Sequence, residues 1–377
     1  MATVSVKNLS KTHSDRKSAG VGAVKNVSFE TGERELFVLL GPPGCGKSAV
    51  LRMIAGLEKP SQGDISIGGK RVNDVSPKDR DVAMTFQGDA LYPHLSVFDN
   101  LALGLMLRKY PQTEVKKRVA ETASILGLEP FLKTKPEALS REARQRVAIG
   151  RAIVRQPKVL LFDEPLSHLD SDQRAQMRSE IRKLHQRLQG TLLYATCDPT
   201  EGIVMADRVA AMNNGEVEQI DTPLALYSEP ANLFVAGLLG RPRMNFVSGR
   251  LKEEGEKIRF REINGGTIDV VFASADRPAA GEFSGKDVIL GVRPEDVEVA
   301  RFSRKEGKAL AAGFPAIADI VEPLGAETNL HLNTGAHTLV CRSRDRFDLQ
   351  DAGHRFQFEI KLGKTHLFDS ASGKRLT

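Results

Sequence analysis

One eight-residue segment, residues 41–48, constrains most strongly what this chain can fold into. It reads Gly-Pro-Pro-Gly-Cys-Gly-Lys-Ser and fits the pattern G-x-x-x-x-G-K-[ST]. An apolar run, Leu36–Leu40, precedes it as a predicted buried strand, and a predicted helix, Lys47–Ala55, follows it. Glycines let backbone N–H groups curl around phosphate oxygens, and a helix N-terminus adds partial positive charge. The segment therefore predicts a phosphate-binding loop between a strand and a helix.

The residue types of this loop assign it to a nucleotide. Lys47 is expected to reach the β- and γ-phosphates, and Ser48 is expected to bind Mg²⁺. The predicted nucleotide-binding residues of the loop are Gly41, Pro42, Pro43, Gly44, Cys45, Gly46, Lys47 and Ser48.

A second apolar run, residues 159–162, ends in two carboxylates, Asp163 and Glu164. Asp163 is expected to hold the Mg²⁺ through water, and Glu164 is expected to polarise the attacking water. The alternative is that the two acids cap the next helix. A phosphate loop upstream favours the first interpretation, so we predict a nucleotide site.

The pattern of apolar and polar residues changes near residue 238. Before it, short apolar strands alternate with helical patterns, which predicts an α/β fold whose parallel sheet carries helices on both faces. A helical insertion is predicted at about residues 99–155. After residue 238, short alternating runs separated by Gly and Pro predict a small β-barrel or sandwich. The predicted domains are therefore residues 1–237 and 238–377.

Composition excludes several classes of protein. The 377 residues are 41% hydrophobic and 27% charged, which excludes a fully disordered chain. No apolar run approaches the roughly 18–20 residues that span a bilayer, and no signal peptide is visible. The net charge of +6 is spread along the chain, so no nucleic-acid partner is predicted. Cys45, Cys197 and Cys341 lie far apart, as expected in a reducing, cytoplasmic compartment.

Further segments resemble the ATP-binding subunit of an ABC importer of the maltose-type, carbohydrate-uptake group. Gln87 stands at the family's Q-loop position, whose side chain touches Mg²⁺ and the attacking water. Residues 90–97 resemble the importer segment on which the permease docks, and residues 165–170 resemble the D-loop. The C-terminal part resembles that group's regulatory β-domain at residues 243–246, 291–295, 324–327 and 366–368. The resemblance covers essentially the whole chain.

This resemblance implies a fold, cofactors and partners. The fold is a P-loop ABC ATPase domain, with a parallel-sheet core and a helical subdomain, followed by an all-β, OB-like (TOBE-type) domain. The implied cofactors are ATP and Mg²⁺. The implied partners are a second ABC ATPase subunit, in a homo- or heterodimer, integral-membrane permease subunits and, indirectly, a solute-binding protein. The implied location is peripheral, on the cytoplasmic face of the cell (inner) membrane.

The chain departs from the family at the L-S-G-G-Q signature, which in the family completes the partner's nucleotide site in trans. Here the signature positions are Ser140, Arg141, Glu142 and Ala143. Arg141 adds bulk, although its charge favours phosphate, whereas Glu142 is expected to repel phosphate. Ser140 remains, either to donate one hydrogen bond or to cap a helix.

A second departure is at the switch position, where the family has a histidine that reaches the γ-phosphate. Cys197 stands there, and a thiol is a weaker donor on a shorter side chain. Pro43 and Ala49 replace hydroxyl residues that contact phosphates in the family. His13 replaces the aromatic residue that stacks on adenine; it either stacks or lies in a solvated loop.

These residues predict an ATPase subunit that energises an ABC importer for a carbohydrate or polyol, with attenuated hydrolysis. Retained Lys47, Gln87, Asp163 and Glu164 argue against complete loss of the site. The alternative is a regulatory pseudo-ATPase that binds nucleotide and assembles with a permease but does not turn over. A soluble ABC protein of DNA repair or translation is disfavoured, because those proteins lack this kind of C-terminal β-domain.

Overall fold

The computed structural model describes residues 2–12, 22–85, 91–188, 190–276, 278–300 and 313–376. The chain divides into two compact units, Met1–Leu224 and Ala225–Thr377. The division lies earlier in the chain than the boundary predicted after residue 237, because residues 225–238 pack with the C-terminal unit. Arg293, a buried residue of that unit, donates hydrogen bonds to the carbonyls of Tyr227 (2.7 Å), Ala236 (3.2 Å) and Leu239 (2.6 Å).

The N-terminal unit contains two sheets. Its strands are β1 (Val4–Thr12), β2 (Gly22–Glu30), β3 (Leu36–Leu40), β4 (Gln62–Ile67), β5 (Lys70–Arg71), β6 (Val82–Thr85), β7 (Val159–Asp163), β8 (Thr191–Thr196), β9 (Arg208–Asn213) and β10 (Glu216–Asp221). The first sheet has four antiparallel strands in the order β2-β1-β4-β5, and the second has six strands in the order β10-β9-β3-β8-β7-β6. Strands β9, β3, β8, β7 and β6 pair in parallel, as the sequence predicts.

The helices of this unit include the predicted one at Lys47–Ala55 and three in the predicted insertion. They are α1 (Lys47–Ala55), α2 (Val97–Met106), α3 (Gln112–Leu126), α4 (Arg141–Ile153), α5 (Ser171–Leu188), α6 (Pro199–Met205) and α7 (Pro223–Ser228), which crosses into the next unit. Helices α2, α3 and α4 pack on one another and form the predicted helical insertion. Helix α1 buries Val50, Leu51, Met53 and Ile54 in the core shared by the two sheets.

Strand register decides where the site lies. Leu40 of β3 is level with Thr196 of β8, and Asp163 of β7 is level with Ala195 of β8. Because these strands are parallel, the segments that follow them leave from one edge of the sheet. The loop at residues 41–46, Glu164 and Cys197 are therefore brought to the same edge.

The C-terminal unit begins within α7, continues through α8 (Leu233–Leu238) and is otherwise β-rich. The strands are β11 (Asn245–Glu254), β12 (Lys257–Glu262), β13 (Asp269–Ala273), β14 (Asp287–Val292), β15 (Val297–Val299), β16 (Gly313–Pro323), β17 (Thr328–Asn333), β18 (Thr338–Ser343), β19 (Arg355–Ile360), β20 (His366–Asp369) and β21 (Arg375–Leu376). They form two sheets with the orders β13-β12-β11-β14-β20-β21 and β15-β19-β16-β17-β18, and every pair is antiparallel. One apolar core spans both sheets, and its largest buried side chains include Phe260, Phe314 and Phe358.

A buried carboxylate lies among the strands of this unit. The side chain of Glu262 accepts hydrogen bonds from the Ile268 N–H (2.9 Å) and the Thr334 hydroxyl (2.5 Å). His337 Nδ1 lies 2.7 Å from Glu262 Oε1, and Nε2 of the same ring accepts from the Ser248 N–H at 3.2 Å. Nδ1 therefore carries the proton, and the network ties three separate segments of the unit together.

Candidate functional site

The phosphate loop joins β3 to α1 in the geometry that its glycines predict. Gly44 and Gly46 have φ values of 79° and 104°, which side-chain-bearing residues rarely adopt. At Gly41 an added Cβ would lie 2.2 Å from the Met212 carbonyl oxygen and 2.7 Å from Cys45 Sγ, so no larger residue fits. The loop thus depends on these three glycines and opens directly into the N-terminus of α1.

Lys47 is buried inside this loop, with 3% of its surface exposed. Its ammonium donates hydrogen bonds to the carbonyl oxygens of Gly41 (2.8 Å) and Pro42 (3.0 Å). It also lies 3.8 Å from Glu164 Oε1, across the edge of the sheet. A buried cation at a helix N-terminus, beside a carboxylate, provides the charge that a polyphosphate requires.

Ser48 and Asp163 form the second contact across this edge. The Ser48 hydroxyl donates to Asp163 Oδ1 at 2.7 Å, and Asp163 is 6% exposed. Mg²⁺ prefers oxygen ligands and is usually held by one or two protein oxygens together with substrate phosphates. The two oxygens therefore fit this ion in their chemistry, and they lie beside the phosphate loop.

Glu164 has an unusual backbone. Its φ of 45° lies in the left-handed region, which costs a non-glycine residue of order 1–3 kcal/mol. Its N–H donates to the Ala195 carbonyl at 3.0 Å, which holds it beside β8. The alternative that these acids cap the next helix is wrong, because the Asp170 carboxylate accepts from the Gln173 N–H at 2.9 Å at the start of α5.

Cys197 follows β8 and is exposed. Partial burial and the Glu164 carboxylate raise the pKa of its thiol above the usual 9.0, and Lys47 opposes this in part. The thiol therefore lies within electrostatic range of both Glu164 and Lys47 and stays protonated at neutral pH. Lys47, Glu164 and Cys197, three of the predicted site residues, therefore lie at one edge of the sheet. The Cys197 side chain is nevertheless shorter than the imidazole that it replaces.

A network behind Cys197 was not predicted from the sequence. The buried Glu201 carboxylate accepts from the hydroxyls of Tyr194 (2.9 Å) and Thr196 (2.6 Å), and Thr196 Oγ1 accepts from the Asp198 N–H (3.0 Å). Burial raises the pKa of Glu201 above 4.5, although the two hydroxyls oppose the shift. The sequence feature that could have revealed this network is Glu201, an acidic residue five positions after Thr196 at the end of β8. The network fixes the turn that carries Cys197.

The altered signature starts α4. Ser140 caps this helix, since its side chain accepts from the Ala143 N–H at 3.1 Å. The Glu142 carboxylate pairs with Arg146 at 2.7 Å, so the repulsion expected from Glu142 is reduced by an adjacent cation. Arg141 donates to the His168 carbonyl at 2.9 Å. In the described part of the chain, no hydrogen bond or ion pair joins residues 140–143 to the phosphate loop.

The remaining predicted residues differ in what the structure says of them. Pro42 and Pro43 are exposed at the mouth of the loop, and Ala49 is buried in α1. His13 and Gln87 lie outside the described residues. Across the described ranges, no group of three or more His, Cys, Asp or Glu side chains has the arrangement of a metal site. Nor does any described helix have the length and apolarity needed to cross a membrane.

Family models match most of the chain. The model described as ABC transporter matches residues 24–167, which include the phosphate loop, Asp163 and Glu164. This chain belongs to the ABC transporter family. The models described as MalK OB fold domain and TOBE domain match residues 240–297 and 290–368. The fold is therefore a P-loop ABC ATPase with a C-terminal OB/TOBE β-domain, and the chain is an ABC-type transport ATPase.

Two characterised relatives match along almost their whole length. The oligosaccharides import ATP-binding protein MsmX of Bacillus subtilis is 46% identical over 94% of this chain and 95% of its own. The trehalose/maltose import ATP-binding protein MalK of Thermococcus litoralis is 44% identical over 94% of this chain and 96% of its own. A solved dimer of the ATP-binding cassette MJ0796 with ADP and phosphate is 31% identical, with a TM-score of 0.53, and covers 58% of this chain and 98% of its own.

Proposed function

We propose that this chain is the ATP-hydrolysing subunit of an importer for a carbohydrate or polyol, and that its hydrolysis is slow. The observation that carries this proposal lies at the edge of the sheet, where Lys47 and Ser48 at the start of α1 contact Glu164 and Asp163 at the end of β7. Cys197 lies within electrostatic range of Lys47 and Glu164 there. The binding and water-polarising groups are retained, whereas the switch position has lost its imidazole. Nucleotide binding is therefore retained better than turnover.

Each retained group has a task in this proposal. Lys47, moved from its carbonyl partners, neutralises charge on the β- and γ-phosphates, and the N–H groups of the loop surround their oxygens. Ser48 and Asp163 would hold Mg²⁺, which supplies further neutralisation of the phosphates when it is bound. Glu164 orients and polarises the attacking water. Gln87 keeps the role that the family resemblance implies, on Mg²⁺ and on the attacking water, and His13 replaces the aromatic residue that stacks on adenine in the family.

Cys197 limits the reaction in this proposal. A protonated thiol offers one weak donor and accepts weakly, so it neither reaches the γ-phosphate nor orients water as an imidazole does. Losing one preorganised transition-state contact costs about 10²–10³-fold in rate. Against a median enzyme turnover of about 10 s⁻¹, we expect roughly 0.01–0.1 s⁻¹.

The partners follow from the relatives. MsmX and MalK are named as import ATP-binding proteins, and the cassette MJ0796 is a dimer. We infer that this chain pairs with a second ABC ATPase subunit and binds a permease on the cytoplasmic face of the membrane, and that a solute-binding protein serves that permease. The two relatives are named for different sugars at similar identity, which supports a carbohydrate as the class of solute rather than one compound.

A second candidate is a regulatory pseudo-ATPase that binds Mg-ATP and assembles with the permease without turnover. Two observations favour it: the thiol at position 197 and the replacement of both signature glycines by Arg141 and Glu142. Both candidates require nucleotide binding, so only the rate of hydrolysis separates them.

The test is Mg-ATP binding and steady-state phosphate release by the purified full chain, alone and with reconstituted permease. The matched control is Glu164→Gln, which keeps the shape of the side chain and removes its charge. Slow turnover above the Glu164→Gln rate supports the proposal. A rate equal to that control favours the pseudo-ATPase, and a rate near 10 s⁻¹ contradicts attenuation. Loss of growth on a single carbohydrate after gene deletion identifies the solute class.

A further inference from the structure

Arg141 makes a contact that a signature glycine cannot make. It is the first residue of α4, and its guanidinium donates a hydrogen bond to the main-chain carbonyl of His168 at 2.9 Å. His168 lies in the turn formed by residues 165–170, which directly follows Glu164. The contact therefore links the start of α4 to the segment that leaves the water-polarising carboxylate.

That turn is tied to Glu164 itself. The Ser167 N–H (3.3 Å) and the Ser167 hydroxyl (3.0 Å) both donate to the Glu164 carbonyl. The Leu169 N–H donates to the Leu166 carbonyl at 3.1 Å, and both leucines are buried. Since the turn is short and internally bonded, displacing its outer end moves the backbone at Glu164. The left-handed φ of Glu164 makes its orientation depend on such surroundings.

The other end of the link is anchored as well. Arg146, one turn along α4 from Glu142, pairs with Glu142 at 2.7 Å and with Glu180 of α5 at 2.6 Å. These pairs hold the first turns of α4 against α5. Arg141 therefore reaches the turn from a fixed helix end, and its charge makes the hydrogen bond to the His168 carbonyl stronger than one between neutral groups.

We propose that Arg141 is a positioning residue for ATP hydrolysis, acting through the turn at residues 165–170 to keep the Glu164 carboxylate aimed at the attacking water. The inference rests on the proposed function, because it requires a chain that hydrolyses ATP. On this proposal Arg141 raises the rate of ATP hydrolysis, whereas a side chain that only obstructed the site would lower it. If bulk were its only effect, glycine at this position would raise the rate.

The first test compares Arg141→Gly, Arg141→Met and Arg141→Lys in steady-state hydrolysis. Glycine and methionine remove the donor, so kcat falls about 10-fold, equivalent to about 1.4 kcal/mol, while KM for ATP stays within about twofold. Lysine retains one donor and one charge, so it keeps kcat within about threefold. A rise of kcat in Arg141→Gly, or equal rates for methionine and lysine, overturns the proposal.

The second test is amide hydrogen exchange at Ser167 and Leu169, in the absence of nucleotide. Exchange is expected to speed up in Arg141→Met and to stay near the wild-type rate in Arg141→Lys. Arg187→Met, which removes an exposed guanidinium near the end of α5, is the control and leaves both amides unchanged. Unchanged exchange in Arg141→Met overturns the link between Arg141 and the turn.

The two tests separate this proposal from the proposed function. A wild-type rate equal to that of Glu164→Gln rejects slow hydrolysis and, with it, any role for Arg141 in hydrolysis. This holds even if amide exchange shows that Arg141 stabilises the turn at residues 165–170. A wild type that hydrolyses ATP, with faster exchange but unchanged kcat in Arg141→Met, leaves the proposed function standing and rejects positioning. Faster exchange together with lower kcat supports both.

Discussion

Cys197→His is the substitution that bears most directly on the chemistry of this site. We expect it to raise kcat for ATP hydrolysis by about 10²-fold, with little change in ATP affinity. The Glu201–Thr196 network holds the turn at position 197, so the imidazole starts from a fixed backbone. Glu164 and Lys47 already act electrostatically on this position, so an imidazole there starts within electrostatic range of both groups.

The size of the effect follows from one contact. A preorganised donor aimed at developing charge is worth about 2.7–4 kcal/mol, or about 10²–10³-fold in rate. We take the lower end because position 197 is exposed, and solvent weakens electrostatic contacts. The Glu164 carboxylate favours a protonated imidazole at this position, whereas partial burial and Lys47 favour the neutral ring. Either form carries at least one N–H donor, so the gain is expected to persist at neutral pH.

The assay is phosphate release at saturating Mg-ATP, compared with Cys197→Ser, which offers a hydroxyl in place of the thiol but no imidazole. The serine variant is expected to stay within about threefold of the wild type. Equal rates for Cys197→His and Cys197→Ser, with ATP binding intact in both, would refute the argument that the missing imidazole limits turnover.

Three further predictions concern other parts of the chain. In the native protein iodoacetamide is expected to modify the exposed Cys197 before the buried Cys45 and Cys341. The rate at Cys197 is expected to keep rising above pH 9, because burial and Glu164 raise the pKa of its thiol. Peptide mass spectrometry that finds Cys45 labelled equally fast contradicts this prediction. Burial raises the pKa of Glu201, so the contribution of this carboxyl to stability falls as pH rises from the unfolded pKa near 4.5 through the folded value. In Glu201→Gln the amide oxygen keeps both hydroxyl hydrogen bonds, so this variant is expected to lack that fall in calorimetric Tm values measured between pH 4 and 8. An unchanged pH dependence of Tm in Glu201→Gln counts against the prediction. Gly266→Ala would place a Cβ 1.9 Å from Glu262 Cδ and displace a buried carboxylate, so the free energy of unfolding of the C-terminal unit is expected to fall by about 1–3 kcal/mol in chemical denaturation. Gly363→Ala, where nothing lies within 4 Å of an added Cβ and the backbone has no positive φ, is the matched control, and an equal loss in both variants contradicts the prediction.

Local sequence patterns were sufficient for most of the elements. The apolar run Leu36–Leu40 is a buried strand, and α1 spans Lys47–Ala55 as predicted, because five apolar residues before a glycine-rich loop leave few other arrangements. The alternating runs after residue 238 form antiparallel strands, because a period of two places every second side chain on the same face of a strand. The segment at residues 225–238 was different. Its helices look like a continuation of the first domain in sequence, and only the tertiary structure shows where they pack, through contacts that include the hydrogen bonds from Arg293.

The sequence by itself was enough to assign the ABC transporter family and to predict the groups on which the proposed chemistry depends: a phosphate loop, two acids after a strand and a cysteine in place of a histidine. It did so because these functions depend on residue type at short spacing. Only the tertiary structure decided how distant residues act on one another. Glu142 looks repulsive in sequence but pairs with Arg146. Arg141 looks obstructive but bonds to the His168 carbonyl in a turn that it meets only through folding. Such contacts depend on packing between separate elements, which no local pattern records.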